Sequence, residues 1–198
     1  MPFVWPRRDV MITVLIGLAG IGLGYTTTSS LLDGDPHRAK IVEVEFFGAG
    51  PKSSRLVRSG WYPAESWGAW SEGPKAQVEW NLAGKPLGDI DVNIEGRIFP
   101  YYADVAQSIR VLVNERRIAV LQRNDEGELY GANFRIPNAV AIARVPLKFV
   151  FEIANPTAPS SVINSKDHRK IGLGLGTVKL TYDINTRNSA TSGAGDVK

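Results

Sequence analysis

Between Gly60 and Ser71 the chain reads Gly-Trp-Tyr-Pro-Ala-Glu-Ser-Trp-Gly-Ala-Trp-Ser, which gathers three of its five tryptophans within ten residues. An indole joins a large flat apolar body to a single N–H donor, so this density supports two kinds of chemistry. Trp61, Trp67 and Trp70 can stack on the apolar C–H faces of a sugar ring while Glu65 and Ser71 bind its hydroxyls. Equally, the three rings can plug the open end of a β-sandwich, with Glu65 fixed by backbone or by an arginine. Tryptophan is highly buried on average, which favours the plug without excluding the platform.

A second polar constellation, Asn164 to Gly176, feeds a glycine-punctuated final strand. Asp167 and Arg169 are expected to find partners elsewhere rather than in each other. Glu65 is the natural partner for Arg169, because a planar guanidinium grips a carboxylate at two points. That pair would tie the Trp-rich segment to the last strand. The functional alternative brings Asp167, Arg169 and Glu65 together on a ligand. Glycoside hydrolysis needs two carboxyl groups about 5 to 9.5 Å apart; Glu65 and Asp167 could be nominated, but nothing else marks them. Gly172, Gly174 and Gly176 do not form a dinucleotide fingerprint, since no helix follows them. Walker loops, nucleophile elbows and His-Glu-x-x-His helices do not occur. No catalytic residue is assigned.

The 198 residues contain no cysteine and only two histidines, His37 and His168, without ligand spacing. Disulfides, thiolate chemistry and a zinc site are therefore not expected, and no cofactor is implied. Lysine and arginine number 23 against 20 acidic residues, a net +3 with no basic run. Nucleic acid is not an expected partner.

The elements that would hold these residues are strands. Period-two alternation recurs at Ile41–Phe47, at Ala76/Val78/Trp80/Leu82 and at Ile90/Val92/Ile94. Ile109/Val111/Val113 run into Asn114-Glu115, and Ile118, Val120 and Gln122 return, a hairpin whose Asn114 tolerates left-handed backbone. Leu147/Phe149/Phe151/Ile153 and Val178/Leu180/Tyr182 follow, and Phe99-Pro100-Tyr101-Tyr102 reads as an aromatic turn capping the sheet. Eight or so short strands between Gly/Pro turns predict an all-β, antiparallel, jelly-roll-like sandwich.

Ahead of the strands lies an apolar run from Val10 to Tyr25, extended to Leu32 if its Thr/Ser stretch is included. A span takes about 20 apolar residues. Arg7 and Arg8 before it favour a cytoplasmic amino terminus and export of the rest. Gly22-Leu23-Gly24 is a poor cleavage site, which favours one uncleaved transmembrane helix over a signal peptide. The expected plan is an anchor over 1–32, a linker over 33–40, a sandwich over 41–184 and a disordered tail over 185–198.

Gly60-Trp61, Pro63-Ala64-Glu65 and Trp67-Gly68-Ala69-Trp70-Ser71 together resemble a Gly-Trp…Pro-Glu…Trp-Gly-x-Trp-Ser signature. Val111 to Ile118 is similar to the same family's Val-x-Val-Asn-Gly hairpin, with Glu115 where Gly is usual. Asp167 to Leu173 resembles its Asp-x-Arg-x-Leu-Gly ending, with Ile171 where Leu is usual. The family is an uncharacterised β-sandwich domain found beside bacterial membrane enzymes of surface polysaccharides and periplasmic glucans, phosphoglycerol transferases and glycosyltransferases among them. The resemblance covers roughly residues 41–183 and implies a periplasmic glycan setting without transferring a catalytic residue. The expectation is a non-enzymatic, inner-membrane-anchored periplasmic module of polysaccharide synthesis or export, binding glycan or docking on a glycosyltransferase complex. Its expected contact residues are Trp61, Glu65, Trp67, Trp70, Ser71, Asp167 and Arg169. The alternatives are a purely structural subunit that binds protein and, behind it, a small glycan hydrolase or lyase.

Overall fold

A computed structural model describes residues 38–50, 56–100, 107–122 and 129–186, with 129–131 in backbone alone. The expected anchor, most of the linker, Tyr101, Tyr102 and the tail from 187 onward lie outside the described residues. Among the described residues, no helix is long and apolar enough to cross a membrane.

Ten strands and two single-turn helices follow in the order β1 (Arg38–Phe46), β2 (Val57–Ser59), β3 (Ala69–Trp70), β4 (Lys75–Trp80), β5 (Ile90–Ile98), β6 (Ser108–Val113), β7 (Arg116–Gln122), β8 (Leu129–Ile136), α1 (Asn138–Ala141), β9 (Leu147–Ile153), α2 (Pro159–Val162) and β10 (Leu173–Asn185). One sheet runs β1-β10-β5-β8 with β3 paired to β10, and the other runs β2-β4-β9-β6-β7. All the pairings are antiparallel. Apart from the β6–β7 hairpin, successive long strands alternate between the sheets, which is the jelly-roll winding.

The alternation predicted from sequence supplies both inner faces. Val78 and Trp80 of β4, Ile90, Val92 and Ile94 of β5, and Leu147, Phe149 and Phe151 of β9 are all buried. Their burial is the main driving force, about 1.5–3 kcal/mol for each large apolar side chain. Four details differ from expectation. β1 begins at Arg38, inside the expected linker, because Arg38 pairs with Asn185 and its guanidinium bonds Asp183. Asn185 accordingly belongs to β10 and not to the tail. β8 is absent from the strands read above, although Ala132, Phe134 and Ile136 alternate with exposed Asn133 and Arg135. In β7 the register slips between Val111↔Ala119 and Leu112↔Arg117. That bulge at Ile118 turns Val120 outward and Leu121 inward.

The expected hairpin is present. Asn114 and Glu115 both have positive φ, 46° and 70°, as a two-residue turn between right-twisted strands requires. The Asn114 side chain donates to Val140 O and accepts from Lys148 N.

β1 turns a mixed face to the core. Ala39, Ile41 and Phe47 are buried, and so is Glu43, which is fully buried between them. Glu43 Oε2 accepts from Trp80 Nε1 at 2.5 Å, and Oε1 accepts from Ala83 N and Tyr182 OH. A buried polar group is tolerable on these terms, with every partner supplied by the fold.

Candidate functional site

The Trp-rich segment forms a clipped loop at the end of the sandwich reached by the start of β10. Gly60 turns it with φ +72°, and a Cβ there would lie 2.3 Å from Lys75 O. Trp61 bridges Ser71, Tyr62 N donates to Trp70 O, and Glu65 N donates to Gly68 O at the tip. β3 then joins the edge of β10, with Trp70 opposite Gly174 and Ala69 opposite Leu175.

This pairing divides the three tryptophans. Trp61 serves the core: its ring lies 6.0 Å from Phe47 and 5.9 Å from Phe151. Its Nε1 donates to Gln77 O at 2.9 Å. Ser71 is fully buried, with its Oγ accepting from Leu173 N at 3.0 Å. Both were expected among the ligand contacts; Ser71 is buried in the stem of the loop, and Trp61, half-buried, packs its ring on the core.

Trp67 and Trp70 lie on the outer face of the β1-β10-β5-β8 sheet. Their rings meet edge to face at 5.2 Å. They cover Gly174, where a Cβ would come within 2.5 Å of Trp67 and 2.8 Å of Trp70. Only glycine lets the indoles settle this close to the strand. The Arg97 guanidinium sits 4.3 Å from the Trp67 ring centroid, a cation–π contact. Both indoles remain half-buried.

Glu65, Asp167 and Arg169 converge, as one of the two expectations required. Arg169 Nη2 donates to Glu65 Oε1 at 3.0 Å, and Trp67 Nε1 donates to Glu65 Oε2 at 2.9 Å. Contrary to expectation, Asp167 and Arg169 also pair with each other. Arg169 Nη2 and Nε reach Asp167 Oδ2 at 2.8 and 3.1 Å, and the Arg169 backbone N–H donates to Oδ1 at 3.0 Å. Residues 164–170 form an irregular loop and not a strand, so an i, i+2 pair can close on itself. Arg169 also lies 5.4 Å from the Tyr62 ring centroid.

These contacts fix the electrostatics. Hydrogen bonds from the Arg169 guanidinium hold the Asp167 carboxyl below the usual carboxylate range. The same bonds, with a lesser share from Glu65, hold Arg169 above its ordinary value. A glycosidase acid needs a raised pKa. Asp167 is instead held below the usual carboxylate range, and its cation is shared with Glu65, whose other oxygen holds the Trp67 indole.

Tyr62, Arg97 and Gly174 are contributors that the sequence did not single out. Arg97 falls on the polar face of β5 by alternation, which is a usable signal. Its contact with Trp67 joins segments thirty residues apart and leaves no local trace. Among the described residues, no cluster of His, Asp or Glu could hold a metal ion.

No known protein family and no curated protein matches the chain. Solved structures similar to it include dimeric latent PorU from Porphyromonas gingivalis, at 8% identity and a TM-score of 0.42. That likeness covers 75% of this chain but only 13% of the other. A family 35 carbohydrate binding module from an environmental isolate is similar at 13% identity and a TM-score of 0.35, over 71% of this chain and 88% of the module. A beta-glucosidase from Paenibacillus barengoltzii is similar at 13% identity and a TM-score of 0.26, over 52% of this chain and 10% of that one. Likenesses this loose assign the chain to no family.

Proposed function

We propose that this jelly-roll protein is a non-enzymatic glycan-binding module, tethered at the periplasmic face of a bacterial inner membrane and serving polysaccharide synthesis or export. The observation that carries the reading is the pair Trp67 and Trp70 over Gly174, Trp67 held by Glu65 and Arg97, Trp70 packed on Trp67 and Phe99, and both still partly open. A core plug needs no hydrogen-bonded mount outside the core. A sugar platform does, because ring faces held in place lose little entropy when a pyranose stacks on them.

The tether fits the same reading. The apolar leader joins at Arg38, which pairs with Asn185, whereas Trp70 pairs with Gly174 near the other end of β10. At the usual strand rise these points are about 35 Å apart. An anchored body would therefore hold its indoles away from the lipid and toward passing glycan. Confinement near a membrane synthase raises the effective concentration, so modest affinity is sufficient.

Affinity electrophoresis of the full chain through gels containing bacterial polysaccharides tests the proposal. Trp67→Ala and Trp70→Ala should each weaken retention by roughly thirtyfold, as loss of an aromatic hot spot does, while thermal unfolding stays cooperative. Retention equal to that of the unaltered protein, in folded variants, would remove the platform.

A further inference from the structure

We propose a second, contiguous site: the outer face of the β1-β10-β5-β8 sheet is a groove for a linear neutral oligosaccharide that continues from the Trp67–Trp70 platform. This rests on the glycan-binding reading above and extends it from a single sugar ring to a chain.

The groove has a volume of about 860 Å³ and is floored by side chains of β5, β8 and β10. Register sets these out in rows. Asp91 stands opposite Arg135 and accepts from its Nε at 2.8 Å, and Asn93 stands opposite Asn133 and accepts no cation but donates to its Oδ1 at 2.9 Å. The next row differs. Glu95 faces Gly131 across the β5–β8 pair, so the sequence offers it no side-chain partner there. The side chains of Glu95 and Lys179 are exposed and have no hydrogen-bond or ion-pair partner among the described residues. Two residues past Glu95 on the same face comes Arg97, which carries Trp67. From Asp91 to Arg97 the track is about 20 Å long at the strand rise.

Three features select the ligand. First, the floor centres on β5 and β10, which are paired on both sides, with β8 as the outer strand, so an extended peptide lying over the centre has no edge to join there. Only side chains are on offer. Second, Asp91 and Glu95 balance Arg135 and Lys179, which favours a neutral ligand over a polyanion. Third, donors and acceptors alternate along the track while the half-buried Val42, Val44 and Phe46 flank it on the outer face of β1. A sugar chain presents this combination, hydroxyls along its rim and C–H faces beside them.

Isothermal titration of the detergent-solubilised full chain decides the matter, with neutral linear gluco-oligosaccharides from disaccharide to hexasaccharide in each common linkage. Affinity should rise with length for at least one linkage. The double variant Glu95→Ala/Lys179→Ala, whose changes are exposed, should bind the disaccharide unchanged and the hexasaccharide about tenfold more weakly, the loss expected for hydrogen bonds to charged groups. Equal hexasaccharide affinity in the two proteins overturns the groove and leaves the platform standing. Loss of length dependence in the unaltered protein does the same. Displacement of bound hexasaccharide by an unrelated extended peptide overturns the choice of ligand. Absence of binding to every oligosaccharide overturns the groove and the platform together.

Discussion

Two glutamates in this protein each accept a hydrogen bond from a tryptophan, and they do opposite work. Glu43 lies fully buried and holds Trp80 Nε1 at 2.5 Å, with Tyr182 OH and Ala83 N completing its donors. Glu65 lies at the rim, 37% exposed, and holds Trp67 Nε1 at 2.9 Å opposite the Arg169 cation. The inner pair is closed: every donor comes from the fold, and nothing is left to receive a ligand. The outer pair consumes only the polar handle of its indole and leaves part of the ring open. The same contact therefore locks a core in one place and aims a surface ring in the other.

The largest effect expected from this contrast is at Glu43. Glu43→Ala strips the acceptor from Trp80 Nε1 and Tyr182 OH and opens a void. At ~1–3 kcal/mol for each orphaned donor, the loss should be about 3 kcal/mol or more. Urea unfolding measures it, and a cost no greater than that of Glu65→Ala would dissolve the distinction between closed and open pairs.

Gly174→Ala comes next. The added methyl would meet Trp67 and Trp70 at 2.5 and 2.8 Å. Overpacking of this kind costs ~1–3 kcal/mol. The indoles should lift off the strand, seen as a red shift and increased quenching of tryptophan fluorescence, with a melting temperature lowered by several degrees but unfolding still cooperative. An unchanged spectrum would mean that the rim is not seated on Gly174.

Glu65→Gln sharpens the comparison further. The amide still accepts from Trp67, but the charge opposite Arg169 is gone. For a pair this exposed the cost should stay below ~1 kcal/mol. Glycan retention should fall only slightly, whereas Glu65→Ala frees the indole and should reduce it more.

The smallest effect is that of acid on Asp167. Arg169 depresses its folded pKa, so its contribution is fully present above the ordinary carboxylate value of about 3.9. It is lost as pH falls through the lower folded value. Melting temperatures of the unaltered protein and Asp167→Asn should differ at neutral pH and converge in strong acid. A gap that widens on acidification would contradict the sign.

Period two was enough to place β4, β5, β6, β9 and β10, because half-buried strands must alternate and their apolar residues do. The hairpin at Asn114-Glu115 was legible for the same local reason, since its backbone demands a residue tolerant of positive φ. The pairing of Glu65 with Arg169 could be proposed from chemistry alone. β8 was equally legible, since Tyr130, Ala132, Phe134 and Ile136 alternate with Gly131, Asn133 and Arg135, and it was passed over; only its place beside β5 needed the tertiary structure. The direction of β7 depended on a bulge, which no composition betrays.

The amino-acid sequence by itself determined that this is a strand-built body with a dense indole segment and an arginine suited to a carboxylate. Those are properties of residue type and short spacing. Only the tertiary structure decided which indoles are scaffold and which are surface, and that β1 turns Glu43 and not Val42 or Val44 inward. The physical reason is that burial and partnership are set by what packs opposite. Trp61 found Phe47 and Phe151, Glu43 found Trp80 and Tyr182, and Trp67 found a glycine and a guanidinium on the outside of a sheet.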